Sequence, residues 1–373
     1  MIVGTPVEIK NHEYRVGITP NGVRALRATG HRVLVQAGAG ARVGFADAAY
    51  AEAGASLVAD AAALYREAEL VVKVKELQPG EFGLVHPGQI LFCYQHLAPD
   101  PVLTVRLLES GVSAIAFETV RGPRGDLPLL APMSRIAGRL APQAGAWALQ
   151  MANGGSGVLL GGVPGVPPAR VLVIGAGSVG ANAVRIAVGF GAQVTVMDRD
   201  TDRLDALDRH YAGRVETSAS DPAALDEEIA RADLVIGAVL APGRRAPKLI
   251  RRETIRRMRA GSVIVDVAID QGGCAETSRP TSHTQPLFVE EGIVHYCVPN
   301  MPSACARTAT LALAQVTLPH VVALAGLGMP EALRRDAGLR EGLQVHAGRL
   351  TDAALAAELG RDFIPVDQAL GLA

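Results

Sequence analysis

Residues 169–198 read ARVLVIGAGSVGANAVRIAVGFGAQVTVMD, and this stretch decides the fold of the chain. An apolar run predicts a strand over Val171–Ile174, and a helical pattern follows to about Phe190. A second apolar run, Val194–Met197, predicts another strand that ends at Asp198. A strand, a helix and a second strand in about 30 residues are typical of a βαβ unit with parallel strands.

Three glycines stand where the first strand meets the helix. Gly175 allows a tight turn, Gly177 has no side chain to block a pyrophosphate, and Gly180 lets the helix pack closely on the strand. The unpaired amides of the helix start face the phosphates, and a carboxylate about 20 residues on, Asp198, accepts hydrogen bonds from the adenosine ribose and repels a 2′-phosphate. The stretch therefore predicts dinucleotide binding. The alternative is an ordinary βαβ turn that needs glycine only for steric reasons.

Composition limits the class of protein. The chain has 373 residues, enough for two or three domains with sizeable cores. Hydrophobic residues make up 49% and charged residues 20%, and the formal net charge of −1 offers no electrostatic footprint for nucleic acid. We found no uncharged apolar stretch of membrane-spanning length and no basic-then-apolar leader, so we expect no membrane partner and a cytoplasmic location.

The four cysteines form no CxxC pair and lie in or beside apolar runs. They are Cys93, Cys274, Cys297 and Cys305. This pattern predicts buried, reduced thiols rather than a disulfide or a metal site, so no metal is expected.

Lysine is scarce in this chain. Lys and Arg together number 36, of which only Lys10, Lys73, Lys75 and Lys248 are lysines. Because an ammonium is a compact point charge and a guanidinium a wide planar fork, lysines at 73 and 75 indicate a need for ammonium groups there. Chance is the alternative explanation.

Strands alternate with helices through most of the chain, which predicts an α/β protein with two Rossmann-like domains and parallel sheets. Outside the stretch quoted above, we predict strands at Ile2–Val7, Arg32–Gln36, Leu70–Val74, Ile90–Tyr94, Ala114–Glu118, Leu234–Val239, Val263–Val267 and Ile293–Cys297. We predict helices at Pro20–Thr29, Asp60–Glu67, Pro101–Glu109, Ser134 to about Met151, Ala304–Val316 and near Asp352–Leu359. Pro142 is expected to bend or divide the longest of them.

The glycine-rich motif lies in mid-chain, so we expect the nucleotide-binding domain to be inserted into the other domain. The predicted boundaries give a nucleotide-binding domain at residues 129–306. Residues 1–128 and 307–373 form the substrate domain. Helical crossings would link the two domains over a cleft.

Ionisable residues follow several predicted strands. Arg15, Lys75, His96 and Asp270 each come at or after a strand end, and ligands of open α/β sheets bind at the carboxyl ends of strands. Arg15 and Lys75 are suited to a substrate carboxylate, and histidine suits proton exchange near neutral pH. Each residue also has a plain structural explanation, as a strand-end charge, a turn former or a surface group. No comparable argument favours Glu8, His12, Glu13 or Glu118, for which packing or surface roles are expected.

Several segments resemble the alanine dehydrogenase family, NAD-dependent enzymes related to the nucleotide-binding domain of proton-pumping transhydrogenase. They are EIKNHEYRVGITP, LVVKVKE, HLAPD, LPLLAPMS, GVLLGGVPGVPPARVLVIGAGSVG, ADLVIGAVLAPGRRAPKLI, GSVIVDVAIDQGGCAETSRPTSH and VHYCVPNMPSACARTAT. The resemblance spans nearly all of residues 4–320 and is weak after about Gly326. It implies oxidative deamination of L-alanine to pyruvate and ammonia with NAD, the reverse amination, and a homohexamer.

The resemblance also assigns roles to residues. His96 and Asp270 would be catalytic, and Arg15 and Lys75 would bind the substrate. The cofactor set, with the glycines above included, is Ser134, Gly175, Gly177, Ser178, Val179, Gly180, Asp198, Arg203, Ser220, Val239, Leu240, Val267, Ala268, Ile269, Asp270, Arg279, Val298, Asn300 and Met301. The chain departs from the family pattern at Arg135, Pro299, Ser303 and Ala306, all in or beside loops assigned to the cofactor.

Three alternatives stay open at this point. The first is that the chain is the NAD(H)-binding component of a proton-translocating transhydrogenase, which would share the glycine-rich motif and much of the fold. Its substrate is alternatively glycine or another small amino acid, because one methyl group is worth only about 1 kcal/mol of selectivity. A catalytically silent NAD-binding regulator is the third alternative.

Overall fold

A computed structural model describes residues 1–239 and 246–371. Within them the chain divides into two compact units. Unit 1 comprises residues 1–132 and 305–373, and unit 2 comprises residues 133–304. The predicted insertion of one α/β domain into another is therefore confirmed. Leu240, one of the predicted cofactor residues, lies outside the described residues.

Unit 1 contains a sheet of eight strands among the described residues, in the order β15-β14-β6-β5-β4-β1-β2-β3. The strands are β1 (Ile2–Thr5), β2 (Arg32–Gln36), β3 (Ser56–Val58), β4 (Leu70–Val72), β5 (Ile90–Cys93), β6 (Ser113–Ala116), β14 (Leu343–His346) and β15 (Arg349–Leu350). The first six are parallel, and β14 and β15 add an antiparallel edge.

Helices accompany this sheet, and acceptor side chains start several of them. Thr19, Asp60 and Asp100 accept from amides of the first turns of the helices that follow them. The helices are α1 (Pro20–Ala28), α2 (Asp47–Glu52), α3 (Ala61–Glu67), α4 (Pro101–Ser110), α10 (Ala306–Leu327), α11 (Met329–Arg335), α12 (Ala337–Arg340), α13 (Ala353–Leu359) and α14 (Val366–Ala369).

Unit 2 contains seven strands in its described part, in the order β12-β13-β11-β10-β7-β8-β9. Its strands are β7 (Arg170–Ile174), β8 (Gln193–Asp198), β9 (Val215–Ala219), β10 (Leu234–Gly237), β11 (Val263–Asp266), β12 (Leu287–Glu290) and β13 (Ile293–Tyr296). Only β12 pairs antiparallel. The helices are α6 (Ser178–Gly189), α7 (Thr201–Tyr211), α8 (Pro222–Arg231) and α9 (Arg252–Ile255).

The six parallel strands of each unit follow one spatial order. In unit 1 it is β3-β2-β1-β4-β5-β6, and in unit 2 it is β9-β8-β7-β10-β11-β13. This is the doubly wound order, in which the chain changes direction across the sheet at the strand that begins the unit. Ligands of such sheets bind beyond the carboxyl ends of the strands at that reversal, and the candidate site is built there.

Two helices continue through a proline. Helix α5 (Ala131–Ala148) is a single element that includes Pro142, so Pro142 does not divide it, and the alternative that it bends the helix stays a prediction. The helix predicted to end at Val316 continues through Pro319 to Leu327. Apolar side chains of α10 are buried on both sides of Pro319, at Leu313 and Val321, and this packing offsets the lost backbone hydrogen bond.

One helical stretch in the described part of the chain, Met301–Leu327, passes a test for membrane-spanning length and composition, with a mean hydropathy of 1.6. The sequence analysis expected no stretch of membrane-spanning length, and this helix corrects that expectation for length and composition. Core helices pass the same test, and α10 packs on α1 and α11 within unit 1, so the finding is weak evidence for a membrane span.

The cysteines are all free thiols. Cys93, Cys274 and Cys297 are buried, whereas Cys305 is half-buried. Burial raises the pKa of the Cys274 thiol, and the neighbouring Asp266 carboxylate raises it further.

Candidate active site

Three predicted site residues of unit 1 lie beyond the carboxyl ends of neighbouring parallel strands. Arg15 follows β1, Lys75 follows β4 and His96 follows β5. The ammonium of Lys75 lies 3.4 Å from Nε2 of His96. The structure therefore brings together the ammonium and the imidazole that the sequence placed at separate strand ends.

The Arg15 guanidinium is held by an acidic neighbour. Arg15 is 2% exposed, and its Nε and Nη2 donate to the two carboxylate oxygens of Glu13 at 2.6 and 2.5 Å. Burial opposes the charge of the guanidinium, but the hydrogen bonds and the charge of Glu13 outweigh it and raise the pKa of Arg15. Glu13 is thus a functional neighbour that the sequence analysis missed, although it lies two residues away.

Lys73 and Lys75 have different environments. The Lys73 ammonium is 1% exposed and lies 2.6 Å from Glu81 Oε1 and 3.4 Å from Glu8 Oε2. Burial opposes its charge, but the two carboxylates raise the pKa of Lys73. Lys73 is therefore the centre of a buried ion-pair cluster, and Lys75 is the lysine that reaches His96.

Glu8 also fixes the backbone that carries Lys75. Its Oε1 accepts hydrogen bonds from the amides of Val74, at 2.6 Å, and Lys75, at 3.3 Å. Burial raises the pKa of Glu8, although the charge of Lys73 opposes this shift. Its predicted packing role is an incomplete description, because the carboxylate orients the end of β4.

His96 has a backbone conformation that few non-glycine residues adopt. Its φ is 47°, and its amide donates to Glu118 Oε1 at 2.7 Å. The ring stacks on Tyr94, with centroids 5.9 Å apart, and its side chain is 37% exposed. Desolvation lowers the pKa of His96 to about 3, with the charge of Lys75 as the second cause, so the ring is neutral near pH 7.

The fingerprint of unit 2 has the expected local geometry. Gly175 has φ of 104°, and a Cβ on Gly180 would lie 1.7 Å from the Gly175 carbonyl oxygen. A Cβ on Gly177, by contrast, would meet only the end of the Arg203 side chain, at 3.6 Å. Packing therefore explains Gly175 and Gly180, whereas the space beside Gly177 is open apart from the end of the Arg203 side chain. Within residues 1–239 and 246–371, no side-chain cap bond is made at the start of α6, and such a helix start is a favourable place for an anion.

Asp198 ends β8 beside these glycines. Its Oδ2 accepts from the amide of Ala176 at 2.6 Å and lies 4.0 Å from Nη1 of Arg203. The next strand places Ser220 nearby, since its amide donates to the Asp198 carbonyl at 3.0 Å. The residues present therefore fit the diphosphate and ribose of a dinucleotide.

Asp270 follows β11 in a 3₁₀ segment, Val267–Gln271, and its side chain is exposed. The sequence analysis placed Asp266 inside the strand, and it is the last residue of β11. Val239 follows β10 at the same edge of the sheet. Strand ends β7, β10 and β11 are neighbours, so unit 2 gathers the glycines, Val239 and Asp270 on one edge.

The remaining predicted cofactor residues differ in what they offer a ligand. The side chains of four of them are buried: Ala268, Ile269, Val298 and Met301. The others are half-buried or exposed: Ser134 in the first turns of α5, Ser178 and Val179 at the start of α6, Val267, Arg279 and Asn300.

Asn300 and Arg279 have further contacts. Asn300 has φ of 60°, and its carbonyl lies 3.3 Å from Nε2 of His283. The same nitrogen lies 3.0 Å from the hydroxyl of Ser303, one of the departures from the family pattern. The Arg279 guanidinium stacks over Phe288, 4.3 Å from the ring centroid.

Comparison with known proteins covers nearly the whole chain. Residues 4–137 match the family model "Alanine dehydrogenase/PNT, N-terminal domain", and residues 141–353 match "Alanine dehydrogenase/PNT, C-terminal domain". The chain belongs to the alanine dehydrogenase/PNT family. The alanine dehydrogenase of Halomonas elongata is 54% identical over 371 residues, covering 100% of both chains. That of Bacillus subtilis is 48% identical over 371 residues, covering 99% of this chain and 98% of the relative.

Solved structures give the same family. A structure named L-alanine dehydrogenase has a TM-score of 0.93 and 51% identity, covering 96% of this chain and 99% of that one. A transhydrogenase from Sinorhizobium meliloti has a TM-score of 0.78 and 24% identity, covering 95% and 100%. The second likeness concerns the fold of this alanine dehydrogenase/PNT family member and nothing more.

Four acidic residues, three in unit 1 and one in unit 2, bond to segments that carry candidate residues, and the sequence analysis gave them no such role. Glu8, Glu13, Glu118 and Asp266 each accept backbone or side-chain hydrogen bonds from the segment that carries a candidate residue. The available signal was an acid close to a strand end, but surface acids produce the same pattern. Burial, which sequence spacing does not show, distinguishes the two cases.

Proposed function

We propose that this chain is an NAD-dependent L-alanine dehydrogenase, which converts L-alanine to pyruvate and ammonia and catalyses the reverse amination. The observation that carries the proposal is the Lys75–His96 pair at the reversal point of the unit 1 sheet, in a chain that aligns end to end with alanine dehydrogenases. A dinucleotide-binding component alone needs no such pair. The transhydrogenase likeness therefore explains the fold and leaves the pair unexplained.

In the proposed reaction, the residues of unit 1 bind the substrate and move protons. Arg15 and Lys75 bind the carboxylate and carbonyl region, because both are cationic at neutral pH. His96, neutral at that pH, takes a proton from the water that attacks the iminium carbon. It then returns the proton to the amine of the carbinolamine and takes the hydroxyl proton as the C–N bond breaks, so the carbonyl of pyruvate forms and ammonia departs. General acid–base catalysis of this kind contributes about 10²–10⁴-fold.

The residues of unit 2 hold the cofactor and stabilise charge. NAD, when bound, supplies the acceptor for the two electrons and the hydrogen lost from the alanine Cα. The fingerprint glycines with Ser178 and Val179 would hold its diphosphate, and Asp198 its adenosine ribose. The Asp270 carboxylate would stabilise the positive charge of the iminium. The remaining members of the cofactor set given in the sequence analysis are proposed as cofactor contacts on the family resemblance.

Two further properties are proposed on the same resemblance. The protein would be a homohexamer in which each subunit contains a substrate domain and a nucleotide-binding domain. It would be cytoplasmic. The four free cysteines support a reducing compartment. Light scattering on the purified chain tests the hexamer, which a monomeric mass would contradict.

The test of function is spectrophotometric. Purified protein is mixed with NAD and each of a panel of small L-amino acids and glycine, and NADH is followed by its absorbance. Turnover with L-alanine well above that with glycine or serine is expected. Equal or greater turnover with glycine would change the substrate, and binding of NADH without turnover of any amino acid would favour the transhydrogenase component.

A further inference from the structure

The carboxylate of Asp266 lies inside the loop that carries Asp270. We define the Asp270 loop as residues 267–275. Asp266 is 1% exposed; its Oδ1 accepts from the Ala268 amide at 3.1 Å, and its Oδ2 accepts from the Cys274 amide at 2.7 Å. One buried carboxylate thus ties the beginning of the Asp270 loop to its end.

Further contacts close the loop around this carboxylate. The Ala275 amide donates to Oδ2 at 3.2 Å, and the Ser278 hydroxyl donates to the same oxygen at 2.6 Å. Gly273 has φ of 78°, and a Cβ there would lie 2.7 Å from Oδ2. The loop therefore fits tightly over Asp266, and its last residues have no room for a different path.

Lys248 holds the same loop from its outer side. Its ammonium donates to the carbonyl of Gly272 at 2.6 Å and to that of Ala275 at 2.9 Å. The surrounding segment adds main-chain bonds, from the Ala246 amide to the Gln271 carbonyl at 2.9 Å and from Leu249 to Cys274 at 2.8 Å. A cation at the carbonyl end of a short helical segment is electrostatically favourable.

The choice of lysine at this position is itself informative. Lys248 is one of four lysines among 36 basic residues, and the other three lie in unit 1. A compact ammonium donates in several directions and reaches two carbonyls that diverge from one point, whereas the planar fork of arginine suits parallel acceptors. The Lys248 contacts therefore require a geometry that the prevalent arginine of this chain supplies poorly.

We propose that Asp266 and Lys248 are positioning residues that fix the Asp270 loop, and with it the Asp270 carboxylate, from the inner and the outer side. The catalytic consequence rests on the proposed function of Asp270, but the fixing of the loop does not. A shift of about 1 Å in a catalytic group costs on the order of 10²-fold in rate. Loss of one side of this support should therefore lower kcat about 10- to 100-fold without removing a group that touches substrate.

The decisive variant is Lys248→Met, which removes the ammonium and keeps most of the side-chain length at an exposed position. Lys248→Arg keeps the charge and should recover part of the loss. Arg231→Met is the matched control, because Arg231 is an exposed cation at the end of α8 whose ion pairs, to Glu227 and Glu228, lie outside the loop. Asp266→Asn probes the inner side if its melting temperature shows that it folds.

Two measurements are made on each full-length variant. Hydrogen–deuterium exchange of peptides that cover residues 267–276 should rise in Lys248→Met and stay at the wild-type level in Arg231→Met. The kcat loss of Lys248→Met should fall to less than about twofold in an Asp270→Asn background, because the lysine acts through that carboxylate. A general structural defect would lower kcat by the same factor in both backgrounds.

The outcomes separate this proposal from the proposed function. Unchanged exchange in Lys248→Met, or an equal kcat loss with and without Asp270, overturns the positioning role. If the wild-type chain turns over no amino acid, the proposed function fails. Increased exchange in Lys248→Met that is confined to the Asp270 loop would still support the positioning role of Lys248.

Discussion

At the scale of single residues, His96 shows how the fold positions a proposed catalytic group. A left-handed φ costs a residue with a Cβ on the order of 1–3 kcal/mol, and the structure must compensate for it. The compensation comes from Glu118, whose carboxylate accepts from the amides of Gln95 and His96. The acid thereby determines where the imidazole points, and Glu118 Oε1 lies 4.0 Å from Nδ1 of the ring.

We expect His96→Ala to lower kcat/KM for alanine by about 10²–10⁴-fold, the usual share of a general acid–base group. The hydrogen bond from the residue 96 amide to Glu118 is retained, so the melting temperature should change little. The rate of NADH formation measures the first effect, and thermal unfolding checks the second. Near-normal turnover in this variant would remove His96 from the mechanism.

A second prediction at this scale concerns Asp198 and the choice between NAD and NADP. Its carboxylate stands at the end of β8, beside the fingerprint, where a 2′-phosphate of NADP would meet its negative charge. We expect the wild-type chain to prefer NAD over NADP, and Asp198→Ser to raise relative use of NADP by about tenfold, which corresponds to 1.4 kcal/mol. Arg199 and Arg203 are close enough in sequence to offer a phosphate positive charge, so kcat/KM is measured with both cofactors. Equal use of the two by the wild-type chain would contradict the assignment.

At the scale of elements, strand ends were the least predictable feature. The sequence analysis extended β4 to Val74, β5 to Tyr94 and β6 to Glu118, whereas these strands end at Val72, Cys93 and Ala116. The apolar alternation does continue. However, Glu8 accepts from the Val74 amide and Glu118 accepts from the amides of Gln95 and His96, so side-chain acceptors take amides just past the ends of β4 and β5. Such long-range partners cannot be inferred from local pattern, which is why the strands were predictable and their functional ends were not.

Glu76 lies just past the carboxyl end of β4 and should make the stability of unit 1 depend on pH. Its carboxylate pairs with Lys10. Burial opposes its charge, but Lys75 and Lys10 outweigh burial and lower the pKa of Glu76 from 4.5 to about 2. Because the folded pKa lies below the unfolded one, ionised Glu76 stabilises the fold above about pH 4.5. That stabilisation is lost as the pH falls from 4.5 towards 2.

The free energy of unfolding in urea tests this at pH 6, 5, 4 and 3. Wild type should exceed Glu76→Gln in stability at pH 6, and the difference should shrink towards pH 3. Glu109→Gln is the control, because the Glu109–Arg106 pair is exposed on both sides and contributes little. A difference that stays constant across this range would show that Glu76 has no depressed pKa.

At the scale of the whole molecule, the order of elements was predictable because it follows from few rules. Alternating strands and helices with right-handed crossovers lead to the doubly wound order, and both units have it. The late strands were not predictable. Leu343 and Val345 alternate with polar residues, but the run is short, and β14 pairs antiparallel with β6, which is far away in the sequence. Pairing over such a sequence separation cannot be inferred from the local pattern.

Because unit 1 is built from both ends of the chain, the loss of its last strands should unfold it. A chain that stops at Gly342 lacks Leu343, Val345 and Leu350, which are 1%, 0% and 2% exposed. Each buried aliphatic side chain of this kind contributes about 1.5–3 kcal/mol, so their loss, with that of α13, is comparable to the 5–15 kcal/mol of a whole domain. Limited proteolysis and hydrogen exchange should then show residues 1–132 unprotected, while strands of unit 2 keep their protection.

A chain that stops at Pro365 is the control, since it loses only α14 and the surface pair of Arg340 with Asp367. It should stay within about 1 kcal/mol of the full chain, and equal protection of unit 1 in both truncated chains would show that β14 is dispensable.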